Sequence, residues 1–428
     1  MRRKGASRPI EMTEAIHDPA WIDAALTAAR PRAVSALLRY FRDMDRAEEA
    51  YQEACLRALG SWPRNGPPRD PAAWLILVGR NAGLDGVRKA ARHVALPPDE
   101  AVSDLEDAEA PMAERLDGSH YRDDVLRLLF ICCHPELPAT QQIALALRIV
   151  SGLSVAQIAR AFLVRDAAME QRITRAKARI AKADVPFEAP GAAARSERLA
   201  AVAAMLYLLF NEGYSAGNDP ARAPLCDEAI RLMRLLLRLF PAEPEIMGLA
   251  ALMLLQKARL AARFDAGGEA VLLEDQDRAL WDGKSIREGL ALIDKAMRHN
   301  RPGPYQVQAA IAATHARAAT AADTDWAGIE GLYRALEQMQ PSPVVRLNRA
   351  VALARLQGPA AALEMILPLE DRLGGYFPYF GARGAFLLQL GRDAEARADF
   401  GRAIALADTP AQAAHIRRHL DRLTQDAK

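Results

Sequence analysis

The chain has 428 residues, enough for two or three separately cored domains, with 51% hydrophobic residues, only 6% aromatic ones and a net charge of +2. Alanine, leucine and arginine dominate while runs of alternating β-branched residues are missing, which excludes a β-rich fold and predicts an all-α protein. Four scattered cysteines make no disulfide framework, Arg2, Arg3 and Lys4 precede no apolar signal segment, and the longest apolar run, Leu199 to Phe210, falls short of the roughly 20 residues a bilayer demands. The expectation is a soluble cytoplasmic protein with no membrane contact.

After an N-terminal tail (1–20), residues 21–92 read as helices broken by the loop SWPRNGPPRDP, whose prolines and glycine end one helix before Pro71 begins the next. The helix before that loop, DMDRAEEAYQEACLRAL, carries Asp45, Glu48, Glu49, Gln52 and Glu53 as an acidic face. Such a face repels phosphate and suits docking on another protein. The helix after the loop combines Trp74 with Arg80, Asn81, Arg88 and Lys89, an aromatic and basic mixture suited to single-stranded bases.

Residues 93–118 form an acidic linker; from 99 to 118 there are eight acids against one arginine. The flanking stretches 1–98 and 119–182 each carry a balance of +5, which reads either as two nucleic-acid-facing units on a solvated tether or as uneven surface charge. Residues 119–184 are again helical. Within them FICCHPELP sets Cys132, Cys133 and His134 side by side, but no second histidine or Cys-x-x-Cys completes four zinc ligands. Pro135 and Pro138 bracket a helix-ending turn instead, and no metal or cofactor is expected.

The most informative segment is LSVAQIARAFLVRDAAMEQRITRAKARI. Ser154 and Gln157 have capping-box spacing, Asp166 is a candidate N-cap, and Met169, Ile173, Ala176 and Ile180 form a buried stripe. Arg172, Arg175 and Arg179 lie about a quarter-turn away, as a recognition helix in a helix-turn-helix would require. A second linker is predicted over 185–197. Residues 198–428 read as helical hairpins, the last with Gly384, Gly391, Ala396, Phe400 and Ala403 at tetratricopeptide spacing and Gly358 one near-period earlier. FNEGYSAG, with Asn211, Glu212 and Tyr214, is its most distinctive polar motif, read either as a candidate regulatory site or as a helix-to-loop turn.

The acidic helix, the loop and the pattern W-x5-RN-x3-D-x2-R-[KR] resemble region 2 of sigma-70-type initiation factors, and the helix-turn-helix, including Arg172, Arg175 and Ala176, resembles their region 4. A chain with these two regions and a long helical tail resembles the extracytoplasmic-function (ECF) subgroup with a fused tetratricopeptide-like domain. The resemblance implies that Asp45, Glu48, Glu49, Gln52 and Glu53 dock on core RNA polymerase, chiefly its β′ subunit with β as a further partner. It implies that Trp62, Arg64, Asn65, Trp74, Arg80, Asn81, Arg88 and Lys89 engage the −10 element of promoter DNA. It also implies that Arg165, Glu170, Gln171, Arg172, Thr174, Arg175 and Arg179 read the −35 element.

Two positions depart from that pattern. Glu170 and Gln171 replace a basic and a small residue, which implies altered base preference or, for Glu170, an outward side chain without a role. Gly79 stands where relatives often have alanine, a small helix penalty beside Arg80. The tail is expected to contact the sigma regions or polymerase and set activity in cis. An activator with a repeat-type sensor domain is the alternative, and the missing phosphate loop, H-E-x-x-H and G-x-S-x-G motifs argue against an enzyme.

Overall fold

The computed structural model describes residues 20–66, 68–91, 119–162, 164–183, 192–215, 222–265 and 270–407, together with 413, 416, 417 and 420. Among these the regular elements are helices, beside one isolated bridge between Phe264 and Ala270. The fold is all-α, as the composition predicted. The chain divides into two compact units, 1–205 and 206–428. The acidic linker (93–118) lies outside the described residues.

The first unit begins with α1 (Ala20–Phe41), α2 (Met44–Asn65) and α3 (Pro71–Ala91), each packed on the other two. The break between α1 and α2, absent from the sequence reading, is made by Arg42 at φ 52° and by Asp43, whose carboxylate accepts from the Arg46 N–H at 2.9 Å. Asp70 starts α3 in the same way, accepting from the Ala72 and Ala73 N–H groups at 3.0 and 3.1 Å. Such caps satisfy donors that a helix leaves unpaired at its first turn.

Gly79 turns out to be a packing requirement and not a defect. A Cβ there would lie 2.8 Å from the Ala50 carbonyl oxygen on α2, a backbone atom that cannot swing aside. Gly79→Ala is therefore expected to destabilise the unit by about 1–3 kcal/mol despite alanine's better helix propensity. Chemical denaturation that shows a stabilised variant would refute this.

The unit continues with α4 (Ser119–Cys132), α5 (Ala139–Ala146), a π-turn (Leu147–Ser151), α6 (Val155–Ala161) and α7 (Asp166–Lys182). The capping box forms as the spacing predicts: Gln157 N–H donates to Ser154 Oγ and Ser154 N–H donates to Gln157 Oε1. Met169, Ile173, Ala176 and Ile180 are the buried residues of α7. The N-cap of α7 is Arg165, one residue before the expected Asp166, and it makes no side-chain capping bond. Asp166 sits inside the first turn, where its charge still favours the positive helix end.

Helix α8 (Ala192–Ser215) starts within the segment expected as a second linker, because the alanine-rich run from 192 is a strong helix former. In the second unit α9 (Pro224–Leu239) is strongly amphipathic, whereas α10 (Pro244–Lys257) is buried nearly all round from Ile246 to Leu255. It is sandwiched by α11 (Gly283–Met297) and α12 (Pro304–Arg317). Helices α13 (Trp326–Met339), α14 (Pro343–Gln357), α15 (Pro359–Ile366), the short α16 (Glu370–Leu373), α17 (Phe377–Gln389) and α18 (Asp393–Ala405) follow. Where α17 crosses α18, Gly384 makes room for Phe400: a Cβ on Gly384 would lie 2.7 Å from that ring. Gly358 and Gly391 take positive φ (88° and 72°) at the preceding turns.

Candidate functional site

On α2 the five acidic-face residues divide. Glu49 and Gln52 are exposed, and Glu53 pairs with Arg57 one turn on at 3.2 Å. Asp45 is exposed and accepts from Lys177 Nζ at 2.6 Å. Glu48 is instead buried, at 5% exposure, which a purely outward docking face did not predict. Its carboxylate meets Lys177 Nζ at 2.6 Å, Arg30 Nη2 at 3.3 Å and Arg148 Nε at 3.3 Å. Burial alone would lower the Lys177 ammonium, but its bonds to Asp45 and Glu48 outweigh that and hold it above the ordinary lysine value.

Arg30 ties this cluster to the π-turn. Its guanidinium donates to the carbonyls of Ile149 (3.1 Å) and Arg148 (3.1 Å), groups at a helix C-terminus that lack an in-helix donor, and it lies over the Tyr51 ring at 4.8 Å. Gly152, at φ 78°, lets the arginine through, since a Cβ there would lie 2.7 Å from Arg30 Cδ. Arg39 adds a second tie, reaching the buried Asp124 on α4 at 3.1 Å. Arg30, Arg148 and Lys177 were missed by the sequence reading. For Lys177 a signal existed: at about 100° per residue it flanks the buried stripe of α7 on the side away from Arg172, Arg175 and Arg179.

The residues expected at a −10 surface are not all on one face. Arg64, Asn65, Arg80 and Asn81 are exposed, with Arg80 stacked over Tyr40 at 4.4 Å. Trp62 and Trp74 are core residues, at 1% and 8% exposure. Trp62 stacks on Trp21 at 6.2 Å and meets Trp74 edge-on at 5.4 Å. Their burial in an aromatic cluster leaves neither ring free to stack on a base in this conformation, which corrects that part of the reading. Arg88 and Lys89 lie on α3, but their side chains fall outside the described residues.

The helix-turn-helix presents an open face. Arg165, Glu170, Gln171, Thr174, Arg175 and Arg179 are exposed and Arg172 is half-buried. Arg179 also donates to the Glu136 carbonyl at 3.0 Å, fixing α7 against the proline-bracketed turn. In that turn Gln142 donates to the carbonyls of His134 and Leu137, and His134 Nδ1 accepts from the Glu136 N–H at 3.3 Å. Cys132 and Cys133 are wholly buried, and burial pushes both thiols up, Cys133 to about 12. They are packing residues there.

In the second unit the described part of the FNEGYSAG motif, Phe210 to Ser215, is occupied with its own surroundings, and Ala216 and Gly217 lie outside the described residues. Glu212 pairs with Arg222 at 2.6 Å, and Tyr214 stacks on Phe210, accepts from Arg259 at 2.9 Å and lies under Arg263 at 3.8 Å. Gly213 is where α8 meets the start of α9, since a Cβ would lie 2.3 Å from the Cys226 nitrogen. Asn211 is half-buried beside them. A cavity of about 430 Å³ opens elsewhere in this unit, lined by His315, Trp326, Ile329, Tyr333, Val351 and Arg355 among others. Arg355 pairs with Glu274 at its edge, and burial, then Arg259 and Arg278, lower the His315 imidazole to about 4, so that it is neutral.

Residues 26–93 match the family described as sigma-70 region 2, and residues 127–180 match sigma-70, region 4. The chain thus carries the two sigma-70 regions, 2 and 4, in an ECF-like layout. Residues 198–297 match a family of unknown function, DUF6596. A protein of Rhizobium meliloti (strain 1021), described as uncharacterized, is 68% identical over 411 residues, covering 96% of this chain and 97% of its own length. The two belong to one family. Sigma-70 regions 2 and 4 imply interaction with core RNA polymerase and promoter DNA. Among the described residues no helix is long and apolar enough to cross a membrane.

Proposed function

We propose that the protein is an alternative sigma factor: it binds core RNA polymerase, recognises −35 and −10 promoter elements, melts the DNA, and is modulated by its C-terminal helical domain. The observation that carries the reading is the pairing of a region 2 helical block with a region 4 helix-turn-helix whose reading face is exposed. On α7, Glu170, Gln171 and Thr174 reach toward base edges while Arg172, Arg175 and Arg179 meet phosphate. On α2, the acidic face docks on the β′ subunit, and the −10 strand runs over Arg64, Asn65, Arg80, Asn81, Arg88 and Lys89. The protein acts by binding and has no enzymatic step of its own.

The helical pairs of the second unit, with glycine against an aromatic at the α17–α18 crossing, support a tetratricopeptide-like reading of that domain. Its cavity gives a modulating ligand or peptide a place to bind. Run-off transcription with purified core polymerase tests the proposal. The full chain is expected to restore initiation at a defined start site, and a chain ending at Asp184 is expected to give an altered yield. Initiation only in the presence of another sigma factor would favour the activator reading; equal yields from both chains would remove the modulating role of the tail.

A further inference from the structure

We propose that the cavity of the second unit is a binding site for a small aromatic molecule bearing a carboxylate, which enters by displacing Glu274 from Arg355 at the mouth. The proposal deepens the modulating role given to the C-terminal domain, and only the consequence of binding rests on that reading.

The walls follow from helix periodicity. Trp326, Ile329 and Tyr333 stand at i, i+3 and i+7 on α13, and Asn348, Val351 and Arg355 have the same spacing on α14, so each helix turns one stripe toward the space. Facing stripes ordinarily close on each other at the density of a packed interior. Here they leave about 430 Å³ open. An apolar cavity of about 150 Å³ already holds benzene, so there is room for two fused rings and a substituent. Each stripe rises about 10 Å along its helix, the reach of only about three extended residues, which favours a compact molecule over a peptide. His315 meets Trp326 edge-on at 5.5 Å, and such rings take a further aromatic partner on a face or an edge.

The polar groups of the lining are few and unspent. Thr324 is 8% exposed, yet its hydroxyl has no hydrogen-bond partner among the described residues; nor have the Tyr333 hydroxyl and the His315 ring nitrogens. A hydroxyl buried without a partner is costly, and an oxygen of a ligand relieves it.

The charge of the lining selects an anion. Arg278 donates to the carbonyls of His315 and Ala318, at 2.7 and 2.8 Å, and no carboxylate pairs with it among the described residues. After burial, it is the charges of Arg259 and Arg278 that hold His315 neutral. Arg355 lies over the Trp326 ring at 5.4 Å and pairs with Glu274, the one acid of the lining. Both partners are exposed, and pairs of that kind contribute little. The carboxylate of a ligand therefore replaces Glu274 in kind, while its ring gains the aromatic wall.

The probe is naphthoate, with naphthamide and naphthylmethylammonium as neutral and cationic controls, titrated calorimetrically into the full chain. Naphthoate is expected to bind saturably and at least about tenfold tighter than either control, as a charge-assisted bond requires. Glu274→Gln should tighten naphthoate several-fold by removing its competitor. Arg355→Gln should weaken it at least about tenfold and leave naphthamide within about twofold. Both positions are exposed, so neither change threatens the fold. Val351→Trp, at the exposed rim, should block all three probes, with folding checked by circular dichroism. No saturable naphthoate binding, equal affinity for the three probes, or affinity untouched by both charge variants overturns the inference. Naphthoate that binds as expected but leaves run-off transcription unchanged supports the site and removes the modulating role. Absent binding beside a tail-dependent yield removes this site and leaves modulation standing.

Discussion

Arg383→Met is expected to destabilise the last helical pair of the second unit by about 3–5 kcal/mol, the range for breaking a buried ion pair from one side. Arg383 on α17 is mostly buried and binds Asp399 on α18 through two parallel bonds of 2.6 Å. It also reaches Glu370 at 2.7 Å and the Tyr379 hydroxyl at 3.1 Å. The hydrogen bonds it donates to Asp399 hold the guanidinium charged despite its desolvation. Removing it leaves the Asp399 carboxylate buried without a counter-charge. The double variant Arg383→Met with Asp399→Leu should recover most of the loss, because neither partner is then stranded. Urea denaturation followed by circular dichroism measures both, and a single variant within about 1 kcal/mol of the parent would mean that water reaches Asp399 freely.

The second large effect is on sequence discrimination. Gln171→Ala is expected to cost about 1–3 kcal/mol on the preferred −35 sequence, roughly five- to 150-fold in affinity, and to leave binding to mismatched sequences much less changed. Arg175→Ala is the contrast: it should weaken all sequences alike and reduce the salt dependence of binding, since it acts on phosphate. Gln171 and Arg175 are both exposed on α7, so neither change disturbs the core stripe. Fluorescence anisotropy on a panel of −35 duplexes at two salt concentrations separates the outcomes. Equal loss on every duplex for Gln171→Ala would show that it makes no base contact.

What was legible in the sequence was whatever local spacing determines. The capping box at Ser154 and Gln157, the buried stripe of α7 and the turn bracketed by Pro135 and Pro138 each follow from residues within one or two helical turns, and each is present. The tryptophans failed because composition marks Trp62 and Trp74 as aromatic without saying which side they face; Trp21, more than 40 residues away, completes the cluster that buries them. Glu48 failed for a similar reason. Its helix pattern is polar, and only the distant Arg30, Arg148 and Lys177 make its burial possible. Gly79 was misjudged because propensity scales treat a helix alone, while its value lies in the Ala50 carbonyl opposite. Pairings between distant segments do not show in periodicity.

The π-turn at Leu147–Ser151 has a consequence for chain length. A π-turn takes up one residue more than the α-helical turn it replaces. Deleting a single residue between Ala146 and Gly152 would let the segment close as ordinary helix, shift the following Gly152 by about 100°, and withdraw the acceptors that Arg30 uses. Spacing at this point is thus as much a determinant of the arrangement as any side chain, and a relative shorter by one residue here would fold the same helices without the same hold on Arg30.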